Sequence, residues 1–467
     1  MITFPFIILL LYEPIISKHI FVFEQFRHGG RGSIFVVPSD YVDRYEVDWG
    51  GNGELSALGM RQHYLIGVRS RFKYKNFLSQ KYDPKDMLIY STDQNRTILS
   101  AQAQLLGMFP PKSGNELDEH DLKFALPPNP ITPEMQNEID SLGNNALPKL
   151  LQVIPIQLFG GDNKKYYTLT EASECAIMKQ IKEKYEKKQI VQDFYREFNN
   201  TYGDKLKKYF GQNNTDFLFN YYNLLGITDH FISNYEHRKN LTKFREYGFD
   251  LEEFNKKCKE FKTLSFFEIE SDMNIGVMAM SPTLKNIIKW MENRIYIEEH
   301  NITVRTSEYP KYVMYSGHDY TIVPLEQYLN TVFGCPMHYP EFAANQFFEL
   351  HKSDYDSNYY YVEYFYNDEL LLNVSFQEFK KEIESVMWSK NEIDTFCRYG
   401  IGKYFWDYAI LASCLILLVV FILNLRIMFY KYHQRKANRT QFQHNKTLTN
   451  ITDEEGKEMV NVNLIQQ

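Results

Sequence analysis

The stretch Arg27-His28-Gly29-Gly30-Arg31-Gly32 sets one histidine between two arginines, at the end of a largely apolar run from Ile20 to Phe26. An arginine is permanently cationic, and its planar fork matches phosphate oxygens in pairs. An imidazole between two such cations resists a further positive charge and stays unprotonated. Beside a bound phosphate it is a candidate nucleophile. Glycines at 29, 30 and 32 let the backbone turn sharply, with room for close approach of a ligand. Two further motifs share this form. Met87-Leu-Ile-Tyr-Ser-Thr92 is followed by Arg96, and Tyr312-Val-Met-Tyr-Ser316 by Gly317-His318-Asp319. Together they offer three cations, two imidazoles and one carboxylic acid. Phosphoryl transfer needs such parts: cations for the equatorial oxygens, an in-line nucleophile, and an acid for the leaving oxygen. His120-Asp121 repeats the dipeptide of 318–319, but it follows Glu116-Leu-Asp-Glu119 instead of a strand and reads as a solvated loop.

These side chains converge only if the short apolar runs 20–26, 87–92 and 312–316 are neighbouring strands, since open α/β sheets place the ligand beyond the carboxyl ends of their strands. Arg96 then also lies near a helix N-terminus, a region suited to anions. The helices expected beside the strands are Ser56–Phe72, capped by Ser56 and burying Leu58, Leu65, Val68 and Phe72; Asp93–Gly107, opening on a cap and closed by Pro110-Pro111; Thr283–Glu298; and one opening at Pro324. Phe347–Leu350 and Tyr359–Phe365 read as two paired strands. Residues 112–265 are more polar and rich in lysine and glutamate, with no strand-then-glycine unit, and read as an inserted, mostly helical cap. The α/β core is expected over 19–111 and 266–400.

The chain has 467 residues and a net charge of −7, which argues against a nucleic-acid partner. Residues 4–12 are apolar and too short to span a bilayer; they fit a signal-peptide core, with Ser17 as a candidate cleavage site and 1–18 as the leader. Tyr408–Leu425 carries no charge and no proline, and with its flanks (405–427) reaches the length of a membrane helix. Arg426, Lys431, Arg435, Lys436 and Arg439 follow, which places residues 428–467 in the cytosol and the larger part of the chain in the lumen or outside the cell. Cys175, Cys258, Cys335 and Cys397 then lie where disulfides form, with three pairings open. Glycosylation patterns fall at Asn199, Asn213, Asn240, Asn301 and Asn373; Asn95 also matches but adjoins Arg96 and is expected bare.

Arg27-His28-Gly29-Gly30-Arg31, Glu54-Leu-Ser-Ala-Leu-Gly59 with Gln62-His63-Tyr64, Ser91-Thr92-Asp93 with Arg96-Thr97, Ala101-Gln-Ala-Gln-Leu-Leu-Gly107 with Phe109-Pro-Pro111, and Gly317-His318-Asp319 together resemble the histidine acid phosphatases of the membrane-anchored lysosomal and prostatic type. The resemblance implies a three-layer α/β fold, phosphoglycerate-mutase-like, with a sheet between flanking helices. It implies that His28 is the phosphohistidine nucleophile, Asp319 the proton donor, and Arg27, Arg31, Arg96 and His318 the phosphate-binding set, with no cofactor or metal. The expected partners are small phosphomonoesters and the membrane; a homodimer is allowed. Where the family usually carries proline two residues after the second arginine, this chain has Ser33, which predicts a looser Arg31. The leading reading is a lumen-facing acid phosphatase. Its rivals are a silent anion-binding surface glycoprotein and a phytase-like inositol-phosphate phosphatase.

Overall fold

The computed structural model describes residues 17–34, 53–158, 175, 183–210, 221–237, 241–265, 273–399 and 402–453. The apolar stretch 4–12, Asn213 and Asn240 lie outside them. Chain contacts divide the molecule into two units, 1–398 and 399–467.

Strand β1, Ser17–Arg27, buries Ile20, Phe21, Val22, Phe23 and Phe26 at 1% exposure or less. Alternate residues face opposite layers, so a run apolar on both faces needs cover on both. Phe21 and Phe23 enter one core, and Val22 and Phe26 the other. Strands β2 (Met87–Ser91), β3 (Gln157–Leu158), β4 (Tyr312–Gly317), β5 (Asn345–Ser353), β6 (Tyr360–Tyr366) and β7 (Glu369–Ser375) complete a sheet in the order β3-β2-β4-β1-β5-β6-β7. The β3-β2-β4-β1 part is parallel, and β5, β6 and β7 extend it antiparallel. Ser17 and Lys18, within the expected leader, belong to β1: Ser17 pairs with Ser353, and Lys18 meets Glu298 at 2.8 Å.

Helices α1 (Ala57–Lys73) and α2 (Asn95–Met108) cover one face. Ser56 caps α1 as expected, but the inward side of α1 is Gly59, His63, Gly67 and Ser70. Leu58, Leu65 and Phe72, expected inside, are 37%, 55% and 68% exposed. The reason is close approach: a Cβ on Gly67 would lie 1.9 Å from the Gln104 carbonyl oxygen, and one on Gly107 2.1 Å from that of Tyr64. Two helices touching backbone to backbone leave room only for small residues between them. α2 starts at Asn95, with Gln94 as a cap residue that makes no side-chain cap bond.

The insertion has its own aromatic core, built by helices α3 (Gln189–Phe210), α4 (Tyr221–Glu236) and α5 (Leu251–Leu264) around Phe198, Phe231, Phe254 and Phe261. It is not wholly helical, since β3 adds an edge strand to the sheet. Helices α6 (Met273–Glu299) and α7 (Asp319–Phe333) pack on the other sheet face. α6 starts ten residues before the expected Thr283 and runs through Pro282, and α7 runs through Pro324, which was expected to open it. The start of α7 is instead set by His318 and Thr321, whose side chains and backbone form a capping box.

Cys175 and Cys397 form a disulfide, whereas Cys258 and Cys335 are free thiols buried in separate cores. Two bridges, as an even count invited, are therefore not made. Asn95, Asn199, Asn301 and Asn373 are exposed. The second unit carries helix α8, Gly402–Asp453, whose segment Ile410–Gln441 is long enough to cross a membrane and contains an 18-residue window with a mean hydropathy of 2.6. Helix continues through the basic residues expected to begin the tail.

Candidate active site

The sheet register brings the three motifs level. Arg27 pairs with Gly317, and Ser91 with Ser316, so His28, Thr92 and His318 leave adjacent parallel strands at the same height. The His28 amide donates to the Gly317 carbonyl at 2.9 Å, and the Thr92 amide to that of Ser316 at 3.1 Å. The glycines are spent differently from the sequence reading. A Cβ on Gly29 would stand 2.5 Å from the Gly59 carbonyl oxygen, and one on Gly59 2.2 Å from that of Gly30. The turn lies against the start of α1, and that contact is what requires glycine.

All six expected residues converge. His28 is 2% exposed, and its ring centre lies 5.5 Å from that of His318. Its Nδ1 is 2.9 Å from the Gly29 carbonyl, a group that can only accept, so the proton sits on Nδ1 and Nε2 keeps its lone pair. Burial, then Arg31, Arg27, His318 and Arg96, holds the imidazole well below its ordinary value, which favours the neutral ring. His318 is lowered to about 3 by burial and then Arg96. Its Nε2 meets Thr92 Oγ1 at 2.9 Å, and its Nδ1 meets an Arg96 terminal nitrogen at 3.4 Å.

Arg27 binds Asp319 at 3.1 Å and the Pro340 carbonyl at 2.5 Å, and its guanidinium lies 4.3 Å from the centre of the Phe342 ring. Arg31 grips Asp229 of α4 with both terminal nitrogens, at 2.8 and 3.1 Å. The Nε atoms of Arg27, Arg31 and Arg96 are all buried and have no hydrogen-bond partner among the described residues. Burying such donors unpaired is costly. Three of them around one imidazole mark a place made for an anion, with each charge-assisted bond worth about 1.5–3 kcal/mol.

Burial alone would raise the Asp319 carboxyl, but Arg27, Lys262, Arg31 and His318 outweigh it, and the group ends below its ordinary value. These cations favour its ionised form. A phosphate entering among the same cations screens them and adds negative charge, which drives this carboxyl toward its protonated form.

Four contributors were not among the expected residues. Asp229 orients Arg31; Lys262 of α5 is a further buried cation beside Asp229 and Asp319; Phe342 lies against Arg27; and Ala343, at φ 62°, donates its amide to the His28 carbonyl at 3.1 Å. Asp229-His230 is a polar pair inside the apolar run Leu224–Ile232, a signal present in the sequence. Lys262 sits in a helix rich in lysine and gives none. Ser33 does not loosen Arg31, because its hydroxyl donates to Asp229 at 3.2 Å and joins the clamp. His120 and Asp121 are exposed, as the sequence indicated, but on a short helix, Glu119–Leu122, instead of a loop.

The histidine phosphatase superfamily (branch 2) matches residues 14–367. Human prostatic acid phosphatase is 26% identical over 366 residues, covering 77% of this chain and 80% of that protein. Rat lysosomal acid phosphatase is 25% identical over 383 residues, covering 77% of this chain and 74% of that one. Among solved structures, the phytase of Klebsiella sp. ASR1 covers 80% of this chain and 97% of its own at 10% identity, with a TM-score of 0.51.

Proposed function

Because the chain belongs to the histidine phosphatase superfamily (branch 2), we propose that it is an acid phosphatase that hydrolyses phosphate monoesters through a phosphohistidine on His28. The observation that carries this reading is the set of three buried arginine Nε atoms, without partners among the described residues, around an imidazole whose Nε2 bears a lone pair. His28 Nε2 attacks phosphorus in line, the bond to the leaving oxygen breaks, and Asp319 gives that oxygen its proton. Arg27, Arg31, Arg96 and His318 hold the equatorial oxygens while charge builds there. The Gly29 carbonyl, holding Nδ1–H, stabilises the cationic ring that results. Water then attacks phosphorus, Asp319 takes its proton, and the P–N bond breaks to return free His28 and inorganic phosphate.

The candidate span in α8, with basic residues following its apolar part, supports a single-pass type I arrangement with the catalytic unit in a lumen or outside the cell. A leader before β1 and sugars on exposed Asn199, Asn301 and Asn373 belong to the same reading.

The test is turnover of an aryl phosphate in acid by the full chain in detergent, beside His28→Ala, with a brief exposure to labelled substrate quenched in base, where a phosphohistidine survives. Label on the wild-type protein and background turnover in the variant are expected. Equal turnover by both proteins would overturn the reading, and an unlabelled, inactive wild type would leave an anion-binding protein instead.

A further inference from the structure

We propose that His19, Glu349 and His351, with the Glu363 carboxylate beside them, form a zinc-class divalent metal site at the end of β1 remote from His28. These four residues, from three strands, share one face of the sheet. His19 pairs with His351 between β1 and β5, and Glu349 pairs with Glu363 between β5 and β6. Glu349 and His351 are two apart on β5 and so point the same way. His19 would not join them in a regular strand. A register shift between His19 and Phe21 brings it opposite His351, a common use of a bulge.

The spacings suit a metal ion. His19 Nε2 is 3.1 Å from Glu349 Oε2, His351 Nε2 is 3.5 Å from the same oxygen, and His351 Nε2 is 3.3 Å from Glu363 Oε2. Donors at zinc bond lengths on a tetrahedron stand about 3.3–3.4 Å apart. The ligand atoms of His19, Glu349 and His351 all lie within 4.8 Å of one another. His351 Nε2 is buried and makes no well-aligned hydrogen bond among the described residues, although Glu349 Oε2 and Glu363 Oε2 lie 3.5 and 3.3 Å from it, so a ring nitrogen and two carboxylate oxygens face the same small space.

The surroundings orient the donors. Ser17 Oγ lies 3.3 Å from His351 Nδ1 and can hold the ring proton there, which leaves Nε2 as a ligand. Tyr74 donates to Glu349 Oε1 at 2.7 Å and Lys73 ion-pairs with that same oxygen, which turns Oε2 toward both imidazoles. Lys73 offsets one carboxylate, and Glu363 supplies the second negative charge a divalent ion calls for. The His19 side chain is 25% exposed and gives an entry path. Imidazole with carboxylate favours zinc and its neighbours over calcium or magnesium. The ion would tie the first strand to the antiparallel half of the sheet, away from the phosphate pocket.

The test uses the full chain in detergent, stripped with a chelator and titrated with Co²⁺, whose visible absorption reports four-coordinate binding, then with Zn²⁺ in competition. One ion per chain is expected, with a melting temperature that rises on zinc addition. His19→Gln and Glu363→Gln, both at partly open positions, are expected to weaken binding about ten- to a hundredfold or more. His120→Gln, in the exposed Asp118-His120-Asp121 cluster, is expected to change nothing. No saturable binding, or binding of equal strength in His19→Gln, would overturn the proposal, as would loss of binding in His120→Gln.

Discussion

Arg31 and Asp229 meet fork to fork, with separations of 2.8 and 3.1 Å, although 198 residues separate them in the chain. The pair joins the glycine-rich turn after β1 to α4 of the insertion, so the cluster of cations around His28 is not a product of the sheet alone. Removing one partner of a buried pair strands the other charge, typically at about 3–5 kcal/mol. Asp229→Asn should therefore lower thermal stability and raise the inhibition constant for inorganic phosphate, because Arg31 Nε is no longer aimed. Calorimetry with phosphate titration measures both, and an unchanged phosphate affinity would deny Asp229 its orienting role.

Asp319→Asn separates proton donation from phosphate binding. A positioned general acid contributes about 10²–10⁴-fold. An alkyl phosphate, whose leaving oxygen needs the proton, should lose most of that factor. A nitrophenyl phosphate, whose leaving group departs as an anion, should lose much less. Equal losses on the two substrates would assign the proton to another group.

The pH dependence of stability should carry a signature of Glu24. Burial raises its carboxyl to about 7, although Tyr312 and Gln104 hydrogen-bond to it. A folded pKa above the unfolded 4.5 means that the native state binds the extra proton. Its contribution is fully present below about pH 4.5 and is lost as pH rises through about 7, a change of about 3 kcal/mol. Glu24→Gln keeps a neutral amide there, so its denaturation midpoint should vary less over this interval and exceed that of the wild type above it. Parallel pH profiles in denaturant would refute this.

Gly67→Ala should destabilise by about 1–3 kcal/mol or more, because the added methyl would lie 1.9 Å from the Gln104 carbonyl oxygen between α1 and α2. Leu65→Ala, one turn-face away at 55% exposure, should cost far less. Thermal melts of the two variants decide it, and the reverse ranking would return the buried face of α1 to its leucines.

The strand–turn units were readable because a strand covered on both faces must be apolar at nearly every position, and because a turn bearing Arg27, His28 and Arg31 has little structural reason to follow one. The face of α1 was not, because its packing uses glycine and polar residues where apolar periodicity looks for leucine. Gly59, His63 and Gly67 carry no hydrophobic signal, though His63 Nε2 lies 3.1 Å from the Arg27 carbonyl and braces the turn beneath the site. Asp229 and Lys262 were hidden for another reason: their meaning depends on which strand end the insertion folds over, and no local pattern encodes that. The cysteine count was equally mute, since the relative positions of Cys258 and Cys335 are set by two different cores.

The Cys175–Cys397 bridge spans 222 positions, which enclose most of the insertion, α6, α7 and the antiparallel half of the sheet. A protease that nicks the chain once anywhere inside that loop yields two pieces still covalently joined, which part on a gel only after reduction. A cut between Cys397 and the apolar part of α8 would instead release the first unit, with His28 and the residues around it, from that helix.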